Sequence, residues 1–247
     1  MVDTPGLALD ERRAELAAAL AGVRARIAAG CAAVGRRADE VTLIAITKTY
    51  PASDVELLAD LGVADVGENR DQEAASKAAA VAAAGRRPRW HFVGQLQRNK
   101  CRSVAGYADV VQSVDSVRLA TALADAARRR ERSIEVLVQV SIDGAAGRGG
   151  AWADSSNPDR GLAAVTAAVA GLDPLRLSGL MAVAPLDWAP EAAFARLAEI
   201  ADRFRADHPA ATVLSAGMSD DMETAIAYGA THVRVGSALL GKRPPLG

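Results

Sequence analysis

The chain has 247 residues, 50% of them hydrophobic, with 29 basic and 30 acidic side chains and a formal charge of −1. Near-neutral charge offers no electrostatic footprint for nucleic acid or anionic lipid, so a small partner is expected. Cys31 and Cys101 are too few for a disulfide framework and read as reduced thiols, and His91, His208 and His232 stand in no metal-ligand spacing.

Leu16, Leu20, Val23 and Ile27 recur at helical spacing, which predicts an amphipathic helix over Asp10–Ala33, part of a 1–40 segment packing on the 41–247 domain. The amino terminus has acidic residues and no apolar run of signal-peptide length, and no later stretch is read as long enough to span a bilayer. The cytoplasm is the expected compartment.

Val41–Ile46 reads as a strand buried on both faces, from whose carboxyl end Lys48 emerges. An amine at the mouth of an apolar core is disfavoured as ammonium and suited to Schiff-base chemistry. The ordinary alternative is a lysine with its stem on apolar surface and its head in water.

Ser53–Leu61 is a helix capped by Ser53 or Asp54, Val63–Gly67 a strand, and Glu68–Ala84 a helix. Trp90–Gly94 is a strand entered from a solvated basic turn at 86–89, and Gln95–Val104 its helix. Asp109–Val114 is a strand, and Ser116–Arg132 a capped helix whose terminal basic cluster suits the macrodipole. Strand Ile134–Ser141 precedes a loop without periodicity, Ile142–Asp159, of a length that is commonly functional or mobile. Helix Asp159–Ala170, strand Leu177–Val183, helix Pro190–Ala206, strand Thr212–Leu214, helix Ser219–Tyr228 and strand His232–Val235 complete the chain.

Strict alternation of about eight strands with helices predicts an α/β fold, a single (β/α)₈ TIM barrel over 41–247 with an extra N-terminal helix. A doubly wound open sheet is the alternative, but the G-x-G-x-x-G turn expected after its first strand is missing. In a barrel the site lies past the strand carboxyl ends. Lys48, Glu68-Asn69, Gly94-Gln95, Ser113, Ser141, Met181, Ser215 to Ser219 and Arg234 to Ser237 occupy those positions.

The loops after the last two strands often hold a phosphate, and here they read Ser215-Ala216-Gly217-Met218-Ser219 and Arg234-Val235-Gly236-Ser237. Glycines let amides approach an anion, Ser219 and Ser237 begin expected helices, and Arg234 adds a charge-assisted contact. Ordinary helix capping would by itself justify both serines, and Asp220 and Asp221 would repel an anion unless they point away. A lysine facing a phosphate cradle matches what pyridoxal phosphate needs.

The segments AITKTYP (45–51), GENR (67–70), WHFVGQLQRNK (90–100), QSVDS (112–116), VLVQVS (136–141), GLMAV (179–183), LSAGMSDDMETAI (214–226) and VRVGSALLGKR (233–243) resemble, in order, the pyridoxal phosphate homeostasis proteins. These are relatives of the barrel domain of alanine racemase. The resemblance implies a Schiff base between the cofactor and Lys48, with Ser219, Gly236 and Ser237 on its phosphate and Arg234 against the cofactor. The implied cofactor-binding set is Lys48, Asn69, His91, Met181, Ser215, Gly217, Met218, Ser219, Arg234, Gly236 and Ser237. Three departures stand out. Tyr50 occupies the place of a second lysine common in relatives, Gln95 replaces a proline, and the loop around 148–157 is longer than in many relatives.

The resemblance implies a non-catalytic carrier of pyridoxal 5′-phosphate that maintains vitamin B6 supply, monomeric, with pyridoxal phosphate-dependent apo-enzymes as possible recipients. A racemase-type enzyme using Lys48 as a base is the alternative, and a barrel enzyme acting on another phosphorylated metabolite is a third reading. Efficient racemisation is not expected, since the opposed tyrosine that relatives take from a separate domain has no counterpart in this sequence.

Overall fold

A computed structural model describes residues 4–145 and 149–241. Arg148 and Lys242 therefore lie outside the described residues, as does the end of the 233–243 segment. Helix α1 spans Thr4–Ala33, six residues earlier than the apolar periodicity suggests. Eight barrel strands come after it among the described residues: β1 Thr42–Ile46, β2 Asp65–Glu68, β3 Arg89–Phe92, β4 Val110–Val114, β5 Ile134–Ser141, β6 Leu175–Met181, β7 Val213–Ser215 and β8 His232–Val235. Each is followed by a helix: α2 Ala52–Asp60, α3 Asp71–Ala83, α4 Cys101–Val104, α5 Val117–Arg129, α6 Leu162–Gly171, α7 Pro190–Asp207, α8 Met222–Ala227 and α9 Ser237–Leu240.

The strands are parallel in the order β4-β3-β2-β1-β8-β7-β6-β5, and a further β4–β5 pairing closes the barrel. This is the expected (β/α)₈ architecture, in which every βαβ crossover places a helix over the outer face. Along β1, Leu43 and Ala45 pack outward against the helices, whereas Ile44 and Ile46 lie beside Gly67 of the neighbouring β2. Val110, Leu137, Met181 and Val213 fill the barrel from four other strands.

By length and composition Leu9–Ala33 would suffice to cross a membrane, which corrects the expectation that no segment would. Its apolar stripe, Leu16, Leu20, Val23, Ile27 and Cys31, is instead buried against the barrel with Val41, Met222, Ile226 and Leu239. Burying each large side chain contributes about 1.5–3 kcal/mol. Polar residues on the same helix orient it: Arg12 grips the buried Asp54 at 2.7 Å, and Arg26 meets Glu223 at 2.6 Å.

Several local expectations change for tertiary reasons. Helix α2 begins at Ala52 after Pro51, so Asp54 serves as the partner of Arg12 rather than as a cap. Only Cys101–Val104 of the expected 95–104 helix is α-helical, preceded by a 3₁₀ turn at Arg98–Lys100. The 142–159 loop contains a two-residue strand, Ala151–Trp152, paired with the end of β5. Arg160 anchors this segment to Asp115 at 3.1 Å and lies over the Trp152 ring.

Candidate functional site

The β1–β8 seam brings the two ends of the chain's barrel together. Thr42 through Ala45 pair with His232 through Val235, so Gly236 follows opposite Ile46. A side chain at Gly236 would begin 3.5 Å from the Ile46 Cβ and carbonyl. Lys48, half-buried two residues beyond Ile46, therefore leaves β1 beside the loop that carries Gly236 and Ser237.

Lys48 sits in a tight turn, where Tyr50 N–H donates to Thr47 O at 3.1 Å and Thr49 has φ +71°. That third turn position normally takes glycine or asparagine. A β-branched residue there costs about 1–3 kcal/mol of strain and keeps that conformation only where its surroundings hold it. Here they do. Glu73 Oε1 accepts the Thr49 N–H at 2.5 Å, and Lys77 Nζ donates to Thr47 O at 2.8 Å. Lys77 also bonds Glu68 Oε1 at 2.6 Å and Glu73 Oε1 at 2.9 Å, while Thr47 Oγ1 donates to Glu68 at 2.7 Å. Burial raises the Glu68 pKa above the ordinary carboxylate value, against the pull of Lys77.

A second buried network crosses the barrel interior. Asp65 meets His91 Nε2 at 2.8 Å, Gln112 meets His91 Nδ1 at 2.8 Å, and Ser215 Oγ donates to Gln112 at 2.7 Å. Arg234 ends the ladder, donating to Ser215 Oγ at 2.8 Å, Ser215 O at 2.9 Å and Ala182 O at 2.8 Å. Burial lowers the Arg234 pKa to about 10, with Asp221 opposing, so the guanidinium stays charged at neutral pH.

At the loop ends Ser237 Oγ donates to Ser219 Oγ at 3.2 Å, and the Ala238 N–H approaches Ser219 Oγ at 3.4 Å. Ser219 thus serves the start of α9 rather than that of α8, which begins only at Met222. Gly217 has φ +87°, the left-handed conformation that favours glycine and turns this loop. Asp221 Oδ1 accepts the Met218 N–H at 2.6 Å, so that carboxylate is aimed at the loop backbone; Asp220 is exposed.

The structure therefore groups Gly217, Met218, Ser219, Gly236 and Ser237 at the ends of β7 and β8, with Ser215 and Arg234 directly beneath and Lys48 in the turn that follows the adjoining strand β1. His91 and Met181 lie in the barrel interior below this group, His91 joined to Ser215 through Gln112 and Met181 in register with Ser215 on the neighbouring strand. His91 is 1% exposed with both ring nitrogens engaged in the ladder, and Met181 packs with Val110 and Leu137. Asn69, just past the Gly67 that pairs with Ile46, lines a polar cleft of about 610 Å³ with Arg70, Glu73, Gln95 and Lys100. Its backbone lies so near Gly94 that a side chain there would begin 2.1 Å from Asn69 O. Glu73, Lys77 and Gln112 escaped the sequence reading. The Glu73–Lys77 spacing was the available signal, but i,i+4 pairs are usually solvated surface contacts.

Comparison with known proteins accords with this geometry. Residues 24–244 match the family described as "Alanine racemase, N-terminal domain". The "Pyridoxal phosphate homeostasis protein" of Mycobacterium tuberculosis (strain ATCC 25618 / H37Rv) is 47% identical over 253 residues, covering 96% of each chain. Its namesake from Escherichia coli (strain K12) is 38% identical over 237 residues, covering 93% of this chain and 97% of that one. PipY of Synechococcus elongatus PCC7942, solved with PLP bound, superposes with a TM-score of 0.75 at 32% identity, over 92% of this chain and all of that one. A D-threonine aldolase from Filomicrobium marinum, at 20% identity and TM-score 0.68 over 94% of this chain and 60% of its own, shares the fold. The chain belongs to the pyridoxal phosphate homeostasis proteins, within the alanine racemase N-terminal domain family.

Proposed function

We propose that this protein binds pyridoxal 5′-phosphate at the β1–β8 seam and holds it reversibly through Lys48, buffering its supply rather than turning over a substrate. The observation that carries the reading is the pairing of the Ser219 and Ser237 hydroxyls above a buried, charged Arg234, whose strand neighbours the one that leads into the Lys48 turn. Two hydroxyls and an amide suit a phosphate, and a half-buried amine suits an aldehyde. When bound, the cofactor would supply an aldehyde able to condense reversibly with a primary amine and a pyridine ring able to withdraw electrons.

The chain's own residues divide the work. Ser219 and Ser237 would anchor the phosphate, Asp221 keeps its charge toward the Met218 amide, and the Ser215–Gln112 pair keeps Arg234 in place. The names of the relatives and the PLP bound to PipY support pyridoxal 5′-phosphate as the ligand. We place the protein in the cytoplasm as a monomer, releasing the cofactor to dependent apo-enzymes. The test is the visible absorption spectrum of protein incubated with pyridoxal 5′-phosphate, followed by borohydride reduction and peptide mapping. A band that reduction fixes on Lys48 supports the carrier, whereas phosphate binding without any such band points to a different phosphorylated ligand.

A further inference from the structure

We infer that Glu73 and Lys77 are positioning residues for Lys48, acting through the peptide groups on either side of it. This rests on Lys48 being the attachment lysine. The Thr47–Tyr50 turn is held from both ends by α3: Lys77 takes the Thr47 carbonyl at 2.8 Å, and Glu73 takes the Thr49 N–H at 2.5 Å. Neither side chain needs to touch the ligand. Their shared contact at 2.9 Å, and the fully buried Glu68 bonded to both Lys77 and Thr47 Oγ1, make the support a single unit.

Three features set this unit apart from a solvated i,i+4 pair. Lys77 is nearly inaccessible, its side chain 5% exposed, and Glu68 is wholly so. Thr49 occupies a left-handed conformation that it would leave if released, and its hydroxyl, like Glu68 Oε2, is buried with no hydrogen-bond partner among the described residues. Such local disfavour persists only where the surroundings impose it. Once the Thr49 N–H loses its acceptor, the turn relaxes and the direction in which Lys48 leaves the barrel is no longer fixed. Misplacing a reacting group by about 1 Å costs up to about a hundredfold in rate.

The experiment separates linkage at Lys48 from binding of the phosphate and ring. Pyridoxine 5′-phosphate carries an alcohol in place of the aldehyde, so it reports binding without linkage. In Glu73→Ala the visible band should grow about ten- to a hundredfold more slowly with pyridoxal 5′-phosphate, while pyridoxine 5′-phosphate affinity stays within about twofold. Glu73→Gln, which retains an acceptor for the Thr49 N–H, should recover most of the rate. The double variant Lys77→Met/Glu68→Gln leaves no buried unpaired charge and should show the same split. Wild-type rates in Glu73→Ala and in the double variant overturn the inference, as do parallel losses of both ligands. A wild-type protein that binds both phosphates but forms no band refutes the attachment reading itself, and the positioning role with it.

Discussion

Arg234 and Ser215 form one unit across the β7–β8 seam, the guanidinium reaching both the hydroxyl at 2.8 Å and the carbonyl at 2.9 Å of a residue 19 positions away. The same group also holds the Ala182 carbonyl, so it organises the ends of three strands. Arg234→Ala should weaken pyridoxal 5′-phosphate binding by about 1–3 kcal/mol, the range for charge-assisted hydrogen bonds. Arg234→Lys should not restore it, because a single ammonium lacks the planar fork that spans these acceptors. Titration followed by absorbance gives the answer, and an unchanged affinity removes Arg234 from the site.

Lys48→Ala should abolish the visible band while leaving the barrel folded, since the apolar run before it is untouched. Far-ultraviolet circular dichroism tests the fold, and borohydride tagging tests the attachment. A tag on Lys100 or Lys242 in the wild-type protein would reassign the linkage.

Two glycines should respond in opposite ways to alanine. At Gly94 the new Cβ would lie 2.1 Å from a backbone oxygen that cannot swing aside, so Gly94→Ala should cost about 1–3 kcal/mol. Gly22 lies within α1 with nothing within 4 Å, so Gly22→Ala should stabilise by about 0.5–1 kcal/mol. Urea midpoints decide both, and a destabilised Gly22→Ala would mean that α1 is not the regular helix described.

Burial pushes the His232 pKa down to about 4 from its ordinary 6.5, with His91 and Arg89 adding to the shift and Asp65 and Glu135 opposing it. Its Nδ1 lies 2.9 Å from the Thr231 hydroxyl. The unfolded chain therefore takes up a proton near pH 6.5 that the native protein refuses until about pH 4. Stability from this group is fully present above pH 6.5 and falls across that window, by about 3 kcal/mol. His232→Gln should flatten this part of the stability profile between pH 7 and pH 4 relative to the wild-type protein. Superimposable pH dependences would show that His232 is not shielded as described.

Racemase turnover should remain far below about 1 per second, an ordinary enzymatic rate. Inversion at a carbon needs an acid opposite the base, and the three tyrosines are otherwise placed. Tyr50 donates its hydroxyl to Gly241 O at 2.8 Å, Tyr107 OH is buried with its pKa driven up by desolvation, and Tyr228 closes α8 on the outer surface. Chiral analysis of alanine incubated with cofactor-loaded protein checks this. Rapid inversion that disappears in Lys48→Ala would make the protein an enzyme.

The eight-strand alternation, the α1 stripe and the strand-end placement of Lys48, Ser219, Ser237 and Arg234 were all legible in the sequence. Each is encoded by burial period over neighbouring residues, and a parallel barrel gathers strand carboxyl ends at one face whatever the side chains. The partners of those residues were not legible. Ser215 meets Gln112 from 103 positions away, Ser219 serves a helix 18 residues downstream of itself, and Thr49 is held by Glu73 from 24 positions further on. Such pairings depend on the stagger with which the sheet closes and on the rotation of each helix over it, and neither leaves a periodic trace. Local sequence determined which residues reach the mouth of the barrel; only the packing of α3 against β1 and β2 decided that Lys48 would stand on a Glu68–Lys77–Glu73 support, and only closure of the sheet that His91 would be drawn inside.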